Sequence, residues 1–284
     1  RVPLRLLCWS RLADRVADPP GTDDRYSERL WRLPGCFLSY GPMSETPEVA
    51  PPPALRNGFV TFGSFNFSAK LGPRTVELWA QVLLAVPESR LLLKALGLRD
   101  PETVDALRAR FAAQGVAPER IGALPYAPTP FAHLAGYGEV DVALDPTPYN
   151  GTTTTCQALW MGVPVVTLEG DRHVARVGAS LLTAAGLPEL VASDDTSYVA
   201  IATGLARDLD KLASLRAGLR ARLRASPLMD ARTFTRGVEA AYRAMWREWC
   251  ATPRPAVASA ASSARPAAAG PTNTTTTPTS SNAT

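Results

Sequence analysis

Apolar positions in the middle of the chain follow two different spacings. Short continuous apolar runs, which are typical of buried strands, occur at residues 59–65, 91–93, 140–144 and 163–168. Elsewhere apolar residues recur every three or four positions, which predicts helices over residues 73–86, 101–114, 153–161, 173–185, 196–224 and 229–249. Because strands that alternate with helices form βαβ units, the pattern predicts an α/β fold with a parallel sheet covered by helices on both faces.

The two ends of the chain lack this pattern. Residues 1–53 are rich in turn-forming prolines and contain too little periodic apolar sequence to fold alone. Residues 250–284 consist largely of Ala, Thr, Pro and Ser, and we expect them to form a disordered tail because they offer almost nothing to bury. We therefore expect one folded domain over residues 54–249. Since the chain does not begin with Met, we also expect it to be incomplete at its N-terminus.

Composition narrows the possible partners. The 284 residues carry a formal net charge of +4, and no dense basic run occurs, so nucleic-acid binding is not expected. No apolar run approaches the length of a membrane span, so no membrane partner is expected either. Four widely spaced cysteines and two histidines provide no recognisable metal-ligand spacing, and they fit a reducing, cytoplasmic setting.

The loop after the apolar run 140–144 contains the most informative residues. In an open parallel sheet, ligands bind beyond the carboxyl ends of the strands. Here Gly151 precedes Thr152, Thr153 and Thr154 at the start of a predicted helix. The unpaired N–H groups of a helix start attract phosphate, and glycine allows a close approach to the backbone. The alternative is that Thr152 or Thr153 only caps the helix, and residue types alone leave both possibilities open.

Two further side chains are candidates for ligand contacts. Lysine is rare in this chain, and Lys70 follows the strand predicted at residues 59–65, where its charge is suited to a phosphate. The alternative is an exposed lysine that only aids solubility. His133 lies near the start of a predicted helix, and a lone histidine is more often a surface or core residue than a ligand contact. Other common signatures are missing from the sequence, including GxxxxGK[ST], GxGxxG and GxSxG.

Three blocks of sequence make this chain similar to the O-GlcNAc transferase family. The first block runs from Phe62-Gly63-Ser64-Phe65-Asn66 to Lys70, and continues to Pro73, Thr75 and Trp79. The second runs from Val140 to Asp145 and on through Asn150 to Thr155, and the third begins at Leu159-Trp160-Met161-Gly162 and extends to Gly186. The resemblance covers roughly residues 10–249, and the order and spacing of the blocks make it more specific than any single motif.

The resemblance implies the C-terminal, Rossmann-like lobe of a two-lobed GT-B glycosyltransferase, with residues 1–53 as the end of the N-terminal lobe and a linker. It implies that Lys70 neutralises the diphosphate as UDP leaves, and that Gly151, Thr152, Thr153 and Thr154 hold the phosphates. Further implied contacts are the Ala127 backbone with the uracil, His133 with the base or ribose, and Gln157 with the ribose. The family usually has a carboxylate where this chain has Gln157, and a polar amide in place of Phe67.

The function that follows from the resemblance is transfer of N-acetylglucosamine from UDP-GlcNAc to Ser or Thr hydroxyls of a protein acceptor. We expect an inverting reaction that needs no metal and no cofactor, because Lys70 and the helix start provide the positive field. Family members place tetratricopeptide repeats and an N-terminal lobe before this region, so we expect activity to require such partners. The alternative is a truncated UDP-sugar-binding module without transferase activity.

Overall fold

The computed structural model describes residues 10–125 and 127–251. Within them, a six-stranded parallel sheet is formed by β3 to β8, in the order β5-β4-β3-β6-β7-β8. These strands are β3 (Thr61–Ser64), β4 (Arg90–Leu93), β5 (Ile121–Ala123), β6 (Val142–Leu144), β7 (Val165–Leu168) and β8 (Val191–Ala192). Two earlier strands, β1 (Ser10–Ala13) and β2 (Arg29–Arg32), form a separate parallel pair.

Helices connect the strands and cover both faces of the sheet. They are α1 (Ala54–Asn57), α2 (Pro73–Ala85), α3 (Pro101–Ala112), α4 (Pro130–Ala135), α5 (Thr153–Trp160), α6 (Val177–Ala184), α7 (Asp195–Arg207), α8 (Leu209–Arg224) and α9 (Ala231–Ala251). Helices α2 and α7 meet on one face, where Trp79 Nε1 donates to Tyr198 OH over 3.2 Å. Helices α5 and α6 contact each other and β7 on the opposite face, as right-handed crossovers require when the strand order reverses.

Several element predictions need correction. The helical pattern at residues 196–224 is not one helix, because α7 ends at Arg207 and Asp208 caps α8 by accepting from Lys211 N over 2.9 Å. The helix predicted at residues 173–185 is a 3-10 turn, His173–Ala175, followed by the shorter α6. The short strands β5 and β8 were not predicted. Of the tail predicted at residues 250–284, only Cys250 and Ala251 are described, and both belong to α9.

The segment before the sheet packs onto it at several points. Ser180 Oγ on α6 donates to the buried Asp14 carboxylate over 2.5 Å. Further along, Tyr40 N donates to Leu228 O over 2.8 Å. Residues 10–53 therefore adopt an ordered arrangement by contact with the sheet domain, although they contain only one pair of strands of their own. The division of the chain into three regions stays a prediction.

Candidate functional site

The candidate site lies where the strand order reverses. Strands β3 and β6 are neighbours in the sheet, but the chain proceeds from β3 towards β4 and from β6 towards β7, in opposite directions across the sheet. At such a point the connections leave to opposite faces, so a crevice opens between the loops that follow the two strands. These loops are residues 65–72 and residues 145–152, and they contain most of the predicted site residues.

A buried carboxylate fixes the loop after β6. Asp145 Oδ1 accepts from Gly151 N over 2.6 Å, and its Oδ2 accepts from Thr167 Oγ1 over 2.7 Å. Burial raises the pKa of Asp145 to about 7, although both hydrogen bonds and the charge of Lys70 oppose the rise. Asn150, also buried, donates to Pro146 O over 3.0 Å and accepts from Gly178 N over 3.1 Å. These buried hydrogen bonds therefore hold the loop after β6 in one conformation.

The packing around Gly151 leaves no room for a side chain. A Cβ atom at this position would lie 2.5 Å from Thr154 Oγ1, 2.8 Å from Thr155 Oγ1 and 3.0 Å from Asn66 Oδ1. Three polar oxygens thus converge on the missing side chain of one glycine. The Thr155 hydroxyl is buried and has no hydrogen-bond partner among the described residues. A buried polar group without a partner is costly, so the Thr155 hydroxyl is a local cost within the fold at this position.

The threonines at the start of α5 do not cap it. The N-cap residue, Thr152, makes no side-chain capping hydrogen bond, and Thr153 at the first helical position is exposed. Thr154 Oγ1 donates instead to Asn66 Oδ1 over 3.0 Å, which links α5 to the loop after β3. The capping alternative is therefore wrong for the Thr152 side chain. The first N–H groups of α5 remain at the positive end of the helix dipole, which favours an anion.

Lys70 faces the helix start from the other side of the crevice. Its Nζ donates to Asn150 O over 2.7 Å and lies 3.4 Å from Asn66 Oδ1. The ammonium also lies 4.3 Å from the centre of the exposed Tyr149 ring. Within the described residues no carboxylate lies within 4 Å of it. Desolvation lowers the pKa of Lys70, and the Asp145 charge acts in the opposite direction. The structure thus brings Lys70, Gly151 and the threonines together as the sequence predicts.

His133 and Gln157 form a second part of the site, deeper in the domain. His133 Nε2 lies 3.2 Å from Gln157 Oε1, and because this oxygen can only accept, the imidazole nitrogen is the donor. Burial lowers the pKa of His133, the Gln157 hydrogen bond raises it, and nearby Lys94 lowers it. The Lys94 ammonium lies 3.3 Å from His133 O and so supports the helix that carries the histidine.

Ala127 lies in the loop between β5 and α4 and is half-buried. Its neighbour at position 126 is outside the described residues. Its contact with a base therefore stays a prediction.

Sequence reasoning missed five polar residues that build the site, namely Asn66, Lys94, Asp145, Asn150 and Thr155. Three of them had a signal, because Asn66, Lys94 and Asp145 each lie within two residues of the carboxyl end of a parallel strand. The roles of Asn150 and Thr155 depend on tertiary contacts. Among the described residues, no group of His, Cys, Asp or Glu side chains could hold a metal ion. A search of the same residues found no helix long and apolar enough to cross a membrane.

A parallel sheet of this strand order, with helices on both faces, defines the class of Rossmann-like lobes. The chain belongs to glycosyl transferase family 41, whose family model matches residues 53–238. It is 45% identical over 251 residues to a rice (Oryza sativa subsp. japonica) protein named probable UDP-N-acetylglucosamine–peptide N-acetylglucosaminyltransferase SPINDLY, covering 87% of this chain and 27% of the relative. The chain thus spans about a quarter of the length of such relatives.

Two further relatives extend the comparison. An O-GlcNAc transferase variant from Thermobaculum terrenum, of known structure, is 45% identical and superposes with a TM-score of 0.79, covering 85% of this chain and 46% of that one. A Caenorhabditis elegans UDP-N-acetylglucosamine–peptide N-acetylglucosaminyltransferase is 34% identical over 203 residues, which cover 69% of this chain and 17% of the relative. The predicted resemblance to O-GlcNAc transferases is confirmed, and so is the fold class, a Rossmann-like lobe of a GT-B glycosyltransferase.

Proposed function

We propose that this chain binds UDP-GlcNAc, the donor of a protein glycosylation reaction. In that reaction the sugar is transferred from UDP-GlcNAc to Ser or Thr hydroxyls. The observation that carries the proposal is the cradle between Lys70 and the start of α5. It offers one ammonium and the N–H groups at the start of α5, next to a glycine whose missing side chain keeps the backbone of the loop open to close approach. These are donors suited to a diphosphate. The rice relative is named a probable UDP-N-acetylglucosamine–peptide N-acetylglucosaminyltransferase, and the Caenorhabditis elegans relative carries the same enzyme name without that qualifier.

In the proposed reaction the acceptor oxygen forms a bond to the anomeric carbon on the face opposite to UDP, and the bond from that carbon to the diphosphate oxygen breaks. The acceptor proton passes to a general base. The leaving diphosphate gains negative charge, which Lys70 and the dipole of α5 stabilise without a metal. His133 and Gln157 hold the nucleoside end. The scheme inverts the configuration of the sugar, because the acceptor attacks opposite the leaving group.

Donor binding is tested by calorimetry with a panel of UDP- and GDP-linked sugars. We expect UDP-GlcNAc and UDP to bind, and binding of only a guanosine diphosphate sugar would overturn the proposed base specificity. Transfer is tested with radiolabelled donor and peptide acceptors, comparing this chain with one extended upstream by the N-terminal lobe and repeats. We expect turnover only in the extended protein. Donor binding without turnover in both would favour a binding module without transferase activity.

A further inference from the structure

A basic pocket lies beside the cradle, and none of its lining residues is among the proposed donor contacts. Its walls come from Arg11 on β1, the Arg25–Tyr26 turn and residues 171–174, which follow β7. Its volume is about 410 Å³, which is in the range of pockets that receive small ligands or a few side chains. The pocket therefore joins the segment before the sheet to the carboxyl edge of the sheet itself.

The charges that line this pocket are not balanced. Arg11, Arg25 and Arg172 contribute three guanidinium groups, whereas Asp171 is the only carboxylate among the lining residues and already pairs with Arg172. Arg11 lies over the Tyr26 ring at 4.9 Å, and Arg25 donates to the Asp171 carbonyl. Neither Arg11 nor Arg25 forms an ion pair within the described residues. Glu28 lies within electrostatic reach of Arg11, and Asp171 within that of Arg25, but neither forms a close ion pair with these arginines.

The back wall of the pocket is also built by hydrogen bonds. Asp18 is buried, with Oδ2 lying 2.8 Å from His173 Nδ1 and Oδ1 accepting from Tyr26 OH over 2.5 Å. The His173 ring packs edge-on against Phe37, with centroids 5.0 Å apart. Asp18 thus lies behind the Tyr26 hydroxyl and the imidazole and forms no ion pair with Arg11, Arg25 or Arg172. Tyr26 and His173 are held in place by contacts that are independent of any ligand.

The pocket and the cradle are directly connected. Val174 O at the edge of the pocket accepts from Asn150 N over 2.9 Å, and Asn150 O accepts from Lys70 Nζ over 2.7 Å. A single residue, Asn150, thus separates the pocket from the ammonium that faces the proposed diphosphate. With a donor in the cradle, a polypeptide that brings a hydroxyl to the sugar would approach the same edge of the sheet on which the pocket lies.

We propose that this pocket binds an acidic segment of the protein acceptor, with Arg11 and Arg25 pairing with its carboxylates. Guanidinium groups match carboxylates in a two-pronged geometry, and two of them lining one pocket favour a segment with two acidic side chains. The identification of this segment as part of the acceptor rests on the proposed function. Binding of the peptide itself needs no nucleotide.

The test measures fluorescence anisotropy of a labelled peptide with a central Ser flanked by Asp and Glu, at low salt and without nucleotide. The reference is the same peptide with Asn and Gln in place of the acids. We expect the acidic peptide to bind at least about tenfold more tightly, and the preference to shrink as salt is added. Equal affinity for the two peptides overturns the proposal.

Variants locate the binding. The double variant Arg11→Met/Arg25→Met is expected to lose the preference, and Arg11→Lys/Arg25→Lys to keep part of it. A charge-matched control, Arg232→Met/Arg236→Met on the exposed start of α9, is expected to keep all of it. Thermal melting of each variant shows whether it is folded. An equal loss in the control, or in Lys70→Ala, overturns the proposal, because binding would then be non-specific or in the cradle.

Two further outcomes separate this inference from others. Equally tight binding of a single-stranded oligonucleotide, lost in the same double variant, would overturn the peptide proposal in favour of a general polyanion site. Failure of the chain to bind UDP, with the peptide preference intact, would contradict the proposed donor site and leave the basic pocket supported as a site for acidic peptides.

Discussion

Replacing Lys70 with alanine tests the cradle most directly. The wild-type ammonium is half-buried and held by Asn150 O at 2.7 Å and Asn66 Oδ1 at 3.4 Å, so it is already oriented before a ligand arrives. A hydrogen bond to a charged group contributes about 1.5–3 kcal/mol. Since 1.4 kcal/mol corresponds to a factor of ten, Lys70→Ala is expected to weaken UDP binding roughly 10- to 150-fold.

The assay is titration calorimetry of UDP and of uridine at constant ionic strength. Uridine has no phosphate, so its affinity is expected to change little in Lys70→Ala. The matched control is Lys211→Ala, which removes an exposed lysine on α8 and is expected to leave both affinities unchanged. Equal UDP affinity in wild type and Lys70→Ala would refute the placement of Lys70 against phosphate. An equal loss for UDP and uridine would show that Lys70 acts through the shape of the loop instead.

Four other predictions concern the cradle and its surroundings. Gly151→Ala is expected to lower stability by about 1–3 kcal/mol and to abolish most UDP affinity, because its Cβ would collide with the Thr154 hydroxyl. The control Gly218→Ala on α8 meets nothing within 4 Å and is expected to be neutral or stabilising. Melting curves that show equal effects of the two variants would contradict this. Gln157→Glu is expected to strengthen UDP binding, because a carboxylate can accept from His133 and the ribose hydroxyls together, and weaker binding by titration would show that residue 157 is not beside the ribose. The raised pKa of Asp145, about 7 when folded, means that the folded state binds the extra proton between about pH 4 and pH 7, so this group's contribution to stability is present at low pH and lost as pH rises through 7. The free energy of unfolding is measured in urea for wild type and for Asp145→Asn. The difference, wild type minus variant, is expected to fall by up to about 4 kcal/mol as pH rises over that range, and a constant difference would mean that Asp145 is ionised throughout. Removing residues 252–284 is expected to leave the melting temperature and UDP affinity unchanged, since that segment has no apolar pattern with which to pack, and a clear drop would contradict this.

Elements whose signals come from residues close together in the sequence were predicted, and elements that depend on contacts between distant residues were not. Local signals located most helices and the strands β3, β4, β6 and β7, because apolar spacing reports on nearby residues. The break at Asp208 was missed because the apolar spacing continues across it, and only the side-chain cap reveals the new helix. Strands β5 and β8 have three and two residues, too few to show a period.

The candidate site divides in the same way. Lys70, Gly151 and the threonines were predicted because they follow strand ends, which is a property of order along the chain. The supporting contacts were not, because they join distant segments. Asp145 reaches Thr167 in the next strand, and Thr154 reaches Asn66 from 88 residues away. These hydrogen bonds depend on the assembled sheet, so no local sequence pattern predicts them.

The reversal of strand order between β3 and β6 has a consequence for folding. The two sides of the crevice meet through Lys70 and Asn150, which are 80 residues apart in sequence. A nucleotide that contacts both residues would bind only to chains in which the two halves of the sheet have already joined. It would therefore stabilise the whole folded domain and not only the loops that it contacts. At a concentration of 100 times Kd such a ligand adds about 2.7 kcal/mol to the free energy of unfolding. Hydrogen exchange with and without UDP would then show slowed opening in β4 and β7, neither of which carries Lys70 or Asn150.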